Sequence, residues 1–235
     1  MSTLDVRDLV CGYDKTPIIG PLSFAIPSGE ITTLIGPNGI GKTTVFKTVL
    51  GLLKPMGGEV EIEGKPINRF APKDFARTIA YVPQNHVPPF PFTVRDVVVM
   101  GRNPHLNELV SPKESDYAIA EEQLELLGVT DLVGRDYTEL SGGERQLVMI
   151  ARALTQQAPI LMMDEPTAHL DYGNELLVLE QITKLRDLGY TIIMITHNHM
   201  HALMWSDTVV AMGRDFFAVG PPGEVLDGNT LTQLY

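Results

Sequence analysis

A glycine-rich segment between an apolar run and a helical run is the feature that most restricts the fold of this chain. The segment reads Gly36-Pro37-Asn38-Gly39-Ile40-Gly41-Lys42-Thr43-Thr44 and fits the pattern G-x-x-x-x-G-K-[ST]. It follows the apolar run Ile31–Ile35 and precedes a helical run that we expect to reach Leu52. A buried strand, this loop and a helix in that order are the context that a phosphate-binding loop requires.

The residue types of this loop suit a polyphosphate. Gly36, Gly39 and Gly41 allow backbone conformations and a close approach that a Cβ atom would block. Backbone N–H groups can then surround the phosphates at the positive end of the helix. We expect Lys42 to reach the β and γ phosphates and the Thr43 hydroxyl to bind Mg²⁺. The alternative is an ordinary glycine-rich turn, which does not require the Lys-Thr pair or the flanking strand and helix.

Two kinds of strand pattern predict an α/β fold. Residues 31–35, 160–163 and 191–196 are near-continuous apolar runs, typical of strands that helices cover on both faces of a parallel sheet. Apolar residues alternate with polar or small ones at Leu22, Phe24, Ile26, Val60 and Ile62. This alternation indicates half-buried, antiparallel strands. We therefore predict a mostly parallel sheet and an antiparallel β subregion at about residues 1–30 and 58–66.

A mostly helical insert is predicted from about residue 92 to about residue 154. It begins after the Pro-rich stretch 87–91. The predicted helices run from an N-cap at Thr93 to Met100, from Asp116 to Leu127 with a stop at Gly128, and onward from Ser141. The sequence has no internal repeat, and we interpret residues 1–235 as a single domain with three subregions.

Composition excludes some functions. The formal net charge is −11, which argues against a general nucleic-acid binder, because such proteins normally carry a basic face. Cys11 is the single cysteine, so no intrachain disulfide can form, and we expect it to be a small buried apolar residue. No secretory signal is recognisable, and no apolar run approaches the roughly 20 residues that span a bilayer. If the protein works at a membrane, we expect another chain to span it.

Two carboxylates end the second buried strand. The run 160–163 leads directly into Asp164 and Glu165. In open α/β sheets, ligands bind at the edge where the strands end. Neighbouring side chains on a strand point in different directions, so we expect Asp164 to hold the Mg²⁺ shell and Glu165 to orient or deprotonate the attacking water. Alone, such a pair is commonly a solvated strand end.

The string Leu140-Ser141-Gly142-Gly143-Glu144-Arg145-Gln146 predicts a second anion-binding helix terminus. Ser141 and Glu144 form an S-x-x-E capping box, which marks the start of a helix. We expect Gly142 and Gly143 to leave the first N–H groups of this helix uncovered.

With this string placed shortly before Asp164 and Glu165, the chain resembles the nucleotide-binding subunits of ABC transporters along essentially its whole length. The resemblance implies a P-loop NTPase core of the ABC type, with ATP and Mg²⁺ as cofactors. It implies that Tyr13 stacks on adenine, although a tyrosine at a strand end is often structural. It also implies that Gln84 touches Mg²⁺ in the catalytic centre and reports to a membrane partner.

The resemblance assigns two further segments. The stretch 168–171 matches the D-loop, in which Asp171 contacts nucleotide across the dimer, and His197 matches the switch histidine near the γ phosphate. It also implies that the Ser141 end of one subunit closes on the phosphate loop of a second copy, head to tail, around two ATP molecules. His169 and Asn198 depart from residues common in the family, and neither change removes a required donor.

The implied partners are transmembrane permease subunits and, indirectly, an extracytoplasmic substrate-binding protein. The expected location is the cytoplasmic face of the membrane, as a peripheral subunit. The string Gly101-Arg102-Asn103-Pro104-His105 and the stretch 171–174 are similar to importers of metal chelates such as siderophores, haem or cobalamin. The string lies where relatives meet the permease, and it could also be a local turn with a solvated arginine.

Several alternatives stay open at this point. A soluble ABC ATPase would usually add coiled coils, a second cassette or basic surfaces. A P-loop kinase would lack the Leu140–Gln146 string. An exporter half would normally be fused to membrane helices. An ABC importer for another small substrate also remains. His197, His199 and His201 alternate and could suggest a metal site. The methionine cluster is most simply interpreted as core packing.

Overall fold

The computed structural model describes residues 2–84, 92–107, 110–214 and 216–234. The Pro-rich stretch 87–91 lies outside the described residues. The strands are β1 Ser2–Tyr13, β2 Thr16–Pro27, β3 Ile31–Ile35, β4 Gly57–Ile62, β5 Lys65–Pro66, β6 Ile79–Val82, β7 Ile160–Asp164, β8 Thr191–Ile195, β9 Thr208–Met212 and β10 Phe217–Gly220. The helices are α1 Lys42–Val49, α2 Pro72–Ala76, α3 Val94–Val99, α4 Glu114–Leu126, α5 Gly142–Thr155, α6 Tyr172–Asp187, α7 His199–Trp205, α8 Pro222–Val225 and α9 Gly228–Leu234.

The described residues group into two compact units. The first unit contains residues 1–71, 162–165 and 185–235, and the second contains residues 72–161 and 166–184. The phosphate loop, the acidic strand end and His197 belong to the first unit, whereas Gln84, Ser141 and Asp171 belong to the second. The interpretation of the chain as one domain with three subregions stays a prediction.

The first unit contains an antiparallel sheet with the strand order β2-β1-β4-β5. Asp5 of β1 pairs with Ala25 of β2 on one side and with Glu61 of β4 on the other. Asp14 and Lys15, with φ angles of 48° and 68°, make the two-residue turn between β1 and β2, as expected for a tight hairpin. The predicted antiparallel strands are therefore confirmed.

The second sheet has the strand order β10-β9-β3-β8-β7-β6. Strand β3 pairs in parallel with both β8 and β9, while β10 returns antiparallel to β9. Every residue of β3, β7 and β8 is buried, as their apolar runs predict. Because β3 and β8 are parallel neighbours, the phosphate loop after β3 and His197 after β8 begin at the same edge of the sheet.

Two predicted helix boundaries are wrong by a few residues. Helix α1 ends at Val49 rather than Leu52, because Gly51 adopts a left-handed φ of 68° that ends the helix. Helix α4 begins at Glu114, two residues before the predicted start. Its third residue, Asp116, accepts a hydrogen bond from the Lys113 N–H group at 3.0 Å, so this carboxylate caps the helix from inside its first turn.

The other two predicted helix starts, at Thr93 and Ser141, are confirmed. Thr93 caps α3 by accepting a hydrogen bond from the Asp96 N–H group at 3.2 Å. Ser141 caps α5, which buries Val148 and Ile150. The cap fixes where the helix that carries Gly142 and Gly143 begins.

Candidate nucleotide-binding site

The phosphate loop forms the wall of a pocket in the first unit. The pocket has a volume of about 200 Å³ and is lined by Ile18, Asn38, Gly39, Gly41, Lys42, Thr43, Thr44 and Glu165. All of these residues except Ile18 are predicted site residues. Ile18 lies on β2, far from the motif in sequence, and is 44% exposed; no local pattern marks it as a site residue.

The glycines of the loop leave room that side chains would fill. Gly39 and Gly41 have φ angles of 82° and 113°, in the left-handed region that favours glycine. A Cβ atom on Gly41 would lie 2.9 Å from Cγ2 of Ile19, and one on Gly36 would collide with the Met212 carbonyl oxygen. The loop conformation therefore depends on these glycines.

The start of α1 has the properties of an anion site. Gly41 is its N-cap residue and supplies no side-chain acceptor, and the first turn contains no acidic residue. The first N–H groups of a helix have no intrahelical partner and carry partial positive charge. The residues present therefore fit a bound phosphate chain.

Lys42 is held against the loop. Its Nζ atom donates hydrogen bonds to the carbonyl oxygens of Gly36 at 2.7 Å and Pro37 at 3.1 Å. Burial lowers the pKa of Lys42, and the negative charges of Glu165 and Asp164 oppose that shift. The ammonium group is thus a largely buried cation within the field of Glu165, the predicted base, and Asp164, the predicted Mg²⁺ ligand.

Glu165 and His197 meet at the ends of β7 and β8. The Glu165 N–H group donates to the Ile195 carbonyl oxygen at 3.1 Å, which fixes the backbone of the carboxylate to the neighbouring strand. Glu165 adopts a φ of 47°, which is uncommon for a residue other than glycine. Its Oε2 atom lies 3.2 Å from Nδ1 of His197. The structure therefore brings two predicted catalytic residues together beside the phosphate loop.

Oxygen ligands suited to Mg²⁺ are present in the same unit. Asp164 is buried at the end of β7, and Thr43 lines the pocket with an exposed side chain. A carboxylate and a hydroxyl are the donor types that Mg²⁺ takes alongside phosphate oxygens and water. Gln84, the third predicted ligand, lies in the second unit.

Tyr13 is not among the residues that line the phosphate pocket. It ends β1, is 40% exposed, and lines a separate pocket with Gly12, Asp14, Lys15 and residues 53–56. The stacking role of Tyr13 stays a prediction.

The predicted capping box is present at the start of α5. The Ser141 N–H group donates to Oε2 of Glu144 at 2.8 Å, and the Glu144 N–H group donates to the Ser141 hydroxyl at 3.3 Å. These bonds, together with the nearby Arg135 guanidinium, lower the pKa of Glu144. Gly142 is exposed, but Gly143 is buried. The expectation that these glycines leave the first N–H groups of α5 uncovered stays a prediction.

Asn174, which is not among the predicted site residues, explains why Gly143 is buried while Gly142 is exposed. A Cβ atom on Gly143 would collide with the Asn174 side-chain oxygen. The Nδ2 atom of Asn174 donates to Oδ2 of Asp171 at 2.6 Å, and its N–H group donates to Oδ1 at 3.0 Å. The D-loop aspartate is thus tied to a residue that packs on the Gly143 backbone. The spacing of Asp171 and Asn174, three residues apart at a helix start, is a signal for the bond between these two residues. No local pattern marks the packing of Asn174 on Gly143.

Gln84 lines a cavity of about 260 Å³ within the second unit. The other lining residues are Pro83, Tyr137, Gly142, Arg145, Gln146, Met149, Ala168, His169 and Leu170. This cavity joins three predicted segments: the one carrying Gln84, the start of α5, and the D-loop. The structure therefore groups the predicted site residues into two sets, one in each unit.

The alternating histidines His197, His199 and His201 do not form a metal-binding cluster among the described residues. His201 is buried in α7, while His197 and His199 are exposed. Within the described ranges, no three His, Cys, Asp or Glu side chains are arranged to hold a metal ion. Among those same residues, no helix combines the length and the hydropathy needed to cross a bilayer.

The sequence is similar to known proteins along nearly its whole length. The profile of the ABC transporter family matches residues 19–168. The Haemophilus influenzae protein named "Uncharacterized ABC transporter ATP-binding protein" is 41% identical over 233 residues, covering 99% of this chain and 89% of the relative. The iron(3+)-hydroxamate import ATP-binding protein FhuC of Bacillus subtilis is 36% identical, covering 100% of this chain and 88% of the relative.

A solved structure has the same fold. It is described as an inward-facing conformation of a metal-chelate type ABC transporter, and its matched chain is 31% identical with a TM-score of 0.89. The match covers 100% of this chain and 89% of that one. The family profile, these identities and the fold agree, and the chain belongs to the ABC transporter family.

Proposed function

We propose that this chain is the ATP-hydrolysing subunit of an ABC importer for metal chelates, and that it works as a head-to-tail dimer. The observation that supports hydrolysis most directly is the contact of Glu165 with His197 at 3.2 Å, with Glu165 lining the pocket of Lys42 and Thr43. A base, a cation and a hydroxyl ligand around one phosphate pocket are the groups that phosphoryl transfer to water needs.

Each group has a defined part in the proposed reaction. The backbone N–H groups of the loop and Lys42 bind the phosphates of ATP and offset their charge. Glu165 accepts the proton of the attacking water, and His197 holds that carboxylate in place and faces the γ phosphate. Thr43 and Asp164 would hold Mg²⁺, which supplies neutralisation of charge on the phosphate oxygens. The part of Gln84 as a further Mg²⁺ ligand stays a prediction.

The second copy is inferred from the family resemblance and from the presence of a second predicted anion site. This site, the Ser141 end of α5, belongs to the second unit, and the start of α1 belongs to the first. In the proposed dimer, each ATP is bound by the phosphate loop of one copy and by Ser141, Gly142 and Asp171 of the other.

The substrate class is proposed from relatives and from sequence. FhuC is named as an import protein for iron(3+)-hydroxamate, and the matched solved structure is described as metal-chelate type. The Gly101–His105 string is similar to a segment found in importers of metal chelates. We infer that the chain binds transmembrane permease subunits at the cytoplasmic face of the membrane and serves, through them, an extracytoplasmic binding protein. Import of another small substrate is the alternative.

Two measurements test this proposal. Purified protein should release phosphate from Mg-ATP with a rate that rises faster than linearly with protein concentration, because the active form is a dimer.

In the cell that encodes it, deletion of the gene should abolish uptake of radiolabelled ferric hydroxamate, haem or cobalamin. Wild-type protein should restore uptake and Glu165→Gln should not. Normal uptake of all three probes in the deletion strain would contradict chelate import, and absence of phosphate release would contradict the ATPase assignment.

A further inference from the structure

The segment Gly101–His105 is organised around one buried arginine. Arg102 is 8% exposed, and its Nε atom lies 3.1 Å from Oδ1 of the equally buried Asp116. Its Nη1 atom donates to the Thr155 carbonyl oxygen at 3.2 Å and to Oε1 of Gln157 at 2.7 Å. Arg102 is therefore not the solvated arginine of a local turn, which was one interpretation of the sequence.

The acceptors of this segment are the last groups of α5. That helix ends at Thr155 and has Gln156 as its C-cap residue. Nε2 of His105 lies 2.8 Å from the Gln156 carbonyl oxygen, and since a carbonyl can only accept, Nε2 carries the hydrogen and donates it. The last carbonyls of a helix have no intrahelical partner, so Arg102 and His105 satisfy them at the end opposite Ser141.

The same helix end is bonded to the strand that leads to Gln84. The Nε2 atom of Gln156 donates to the Ile79 carbonyl oxygen at 2.8 Å and also to that of Ala76. Ile79 begins β6, which ends two residues before Gln84. One residue of the α5 terminus therefore contacts both His105 and the strand that carries the predicted reporter glutamine.

The backbone of the segment is in direct contact with the helix. A Cβ atom on Gly101 would collide with the Arg152 carbonyl oxygen and would lie 3.0 Å from Cβ of Thr155. No side chain separates the two backbones here, so little movement between them is available. The segment, the end of α5 and the start of β6 form one packed joint.

We propose that Arg102 and His105 are positioning residues that couple the Gln84 strand to the Ser141 end of α5. The inference rests on the proposed function, in which Gln84 and Ser141 act on nucleotide. Helix α5 has 14 residues and spans roughly 20 Å. Since the helix moves as a rigid rod, a shift of its C-terminal end, which Arg102 and His105 hold, also shifts its Ser141 end. The joint makes the Gln84 strand and the Ser141 terminus move together.

The test separates positioning from simple stabilisation. Arg102→Met leaves the Asp116 charge buried and unpaired, which destabilises the fold, whereas the double variant Arg102→Met/Asp116→Leu removes both charges. The double variant should regain part of the thermal stability that the single variant loses, although it also lacks the Asp116 cap of α4. It should still have a kcat at least about fivefold below wild type, because the bonds to Thr155 and Gln157 are absent. Its Kd for Mg-ATP, measured by calorimetry, should stay within about twofold of wild type, since the phosphate loop is in the other unit.

The matched control is Arg95→Met. Arg95 pairs with Glu121 at 2.6 Å and Glu114 at 2.9 Å in the same unit and has no bond to α5 in the described contacts. Its kcat should be that of wild type within about twofold. If the double variant of Arg102 and Asp116 recovers wild-type kcat together with stability, Arg102 only stabilises the fold and the inference is overturned.

A second variant decides the matter should the double variant fail to fold. His105→Leu removes a single half-buried bond, to the Gln156 carbonyl, and should lower kcat about two- to fivefold with a nearly unchanged Kd for Mg-ATP. Wild-type kcat in His105→Leu would also overturn the inference. A wild-type protein without ATPase activity would instead indicate failure of the proposed function, so the two failures are distinguishable.

Discussion

The Nδ1 atom of His197 lies 3.2 Å from Oε2 of Glu165, and the two side chains differ sharply in exposure. The Glu165 side chain is 17% exposed and the His197 side chain is 59% exposed. The carboxylate is therefore held in position, while the imidazole keeps one face open. This arrangement suits a fixed base beside a group that senses what occupies the pocket.

Glu165→Gln should bind Mg-ATP but hydrolyse it roughly 10²- to 10⁴-fold more slowly, the range typical of a lost general base. The amide keeps the shape of the side chain and removes negative charge beside the γ phosphate, so an ATP-bound dimer should accumulate. Phosphate release and size-exclusion chromatography with ATP measure both effects. Glu224→Gln in α8, outside the pocket, serves as control, and wild-type turnover in Glu165→Gln would remove Glu165 from the proposed role.

Lys42→Ala should weaken ATP binding by about 10- to 100-fold, because a charge-assisted contact to phosphate is worth roughly 1.5–3 kcal/mol. The side chain is buried and its ammonium group lies on the loop carbonyls, so the alanine variant lacks the cation that the loop holds in place. Isothermal calorimetry with Mg-ATP tests this. Lys47→Ala, on the same helix but outside the phosphate pocket, should bind normally; equal affinities in the two variants would contradict the assignment.

Ser141→Arg should bind ATP nearly normally yet lose hydrolysis and ATP-driven dimerisation. The substitution places a bulky cation at the start of α5 and leaves the phosphate loop of the same chain untouched. Calorimetry measures the binding, and light scattering of Ser141→Arg in a Glu165→Gln background measures the dimer. Normal dimerisation would contradict the role of this helix end.

Mixing two inactive variants tests the exchange of sites between copies. In a heterodimer of Lys42→Ala with Ser141→Arg, one site carries both defects and the other carries neither. If the sites act independently, the mixture should regain part of the activity that each homodimer lacks. A monomer that performs both roles within one chain would regain nothing, and its rate would be linear in protein concentration.

Asp116→Asn should destabilise the protein most at neutral pH, by about 3 kcal/mol, because it leaves the Arg102 charge buried without its partner. The Lys113 N–H group and the Arg102 guanidinium lower the pKa of Asp116 in the folded state. The stability that this carboxylate contributes is therefore present above its unfolded pKa of roughly 3.9 and is lost as pH falls through the lower folded value. Thermal unfolding of both proteins from pH 7 to pH 3 should show a difference that persists to about pH 4 and then shrinks. A difference that does not change with pH would contradict this origin.

Local patterns carried most of what sequence could predict. The apolar runs at β3, β7 and β8 and the caps at Thr93 and Ser141 depend on neighbours in the chain, so their periodicity and spacing were sufficient. The helix ends depended on single residues: the left-handed Gly51 and the inward-capping Asp116 moved the boundaries of α1 and α4.

Contacts between distant segments could not be predicted. Ile18 reaches the phosphate pocket from β2, and Asn174 covers Gly143 from α6. Arg102 is buried only because Asp116 and the end of α5 meet it. A sequence shows an arginine near a proline, and only the packing of three elements decides whether that arginine is solvated.

Glu165 adopts its left-handed backbone angle, with φ at 47°, against the preference of any residue that carries a Cβ atom. That conformation costs about 1–2 kcal/mol for a residue with a Cβ atom, and glycine at the same position would adopt it without this cost. Glu165→Gly would relieve this strain, but it would also remove the carboxylate from His197 and from the Lys42 charge, and it would add freedom to the unfolded chain. The angle marks a position where backbone strain coincides with a side chain proposed to act in turnover.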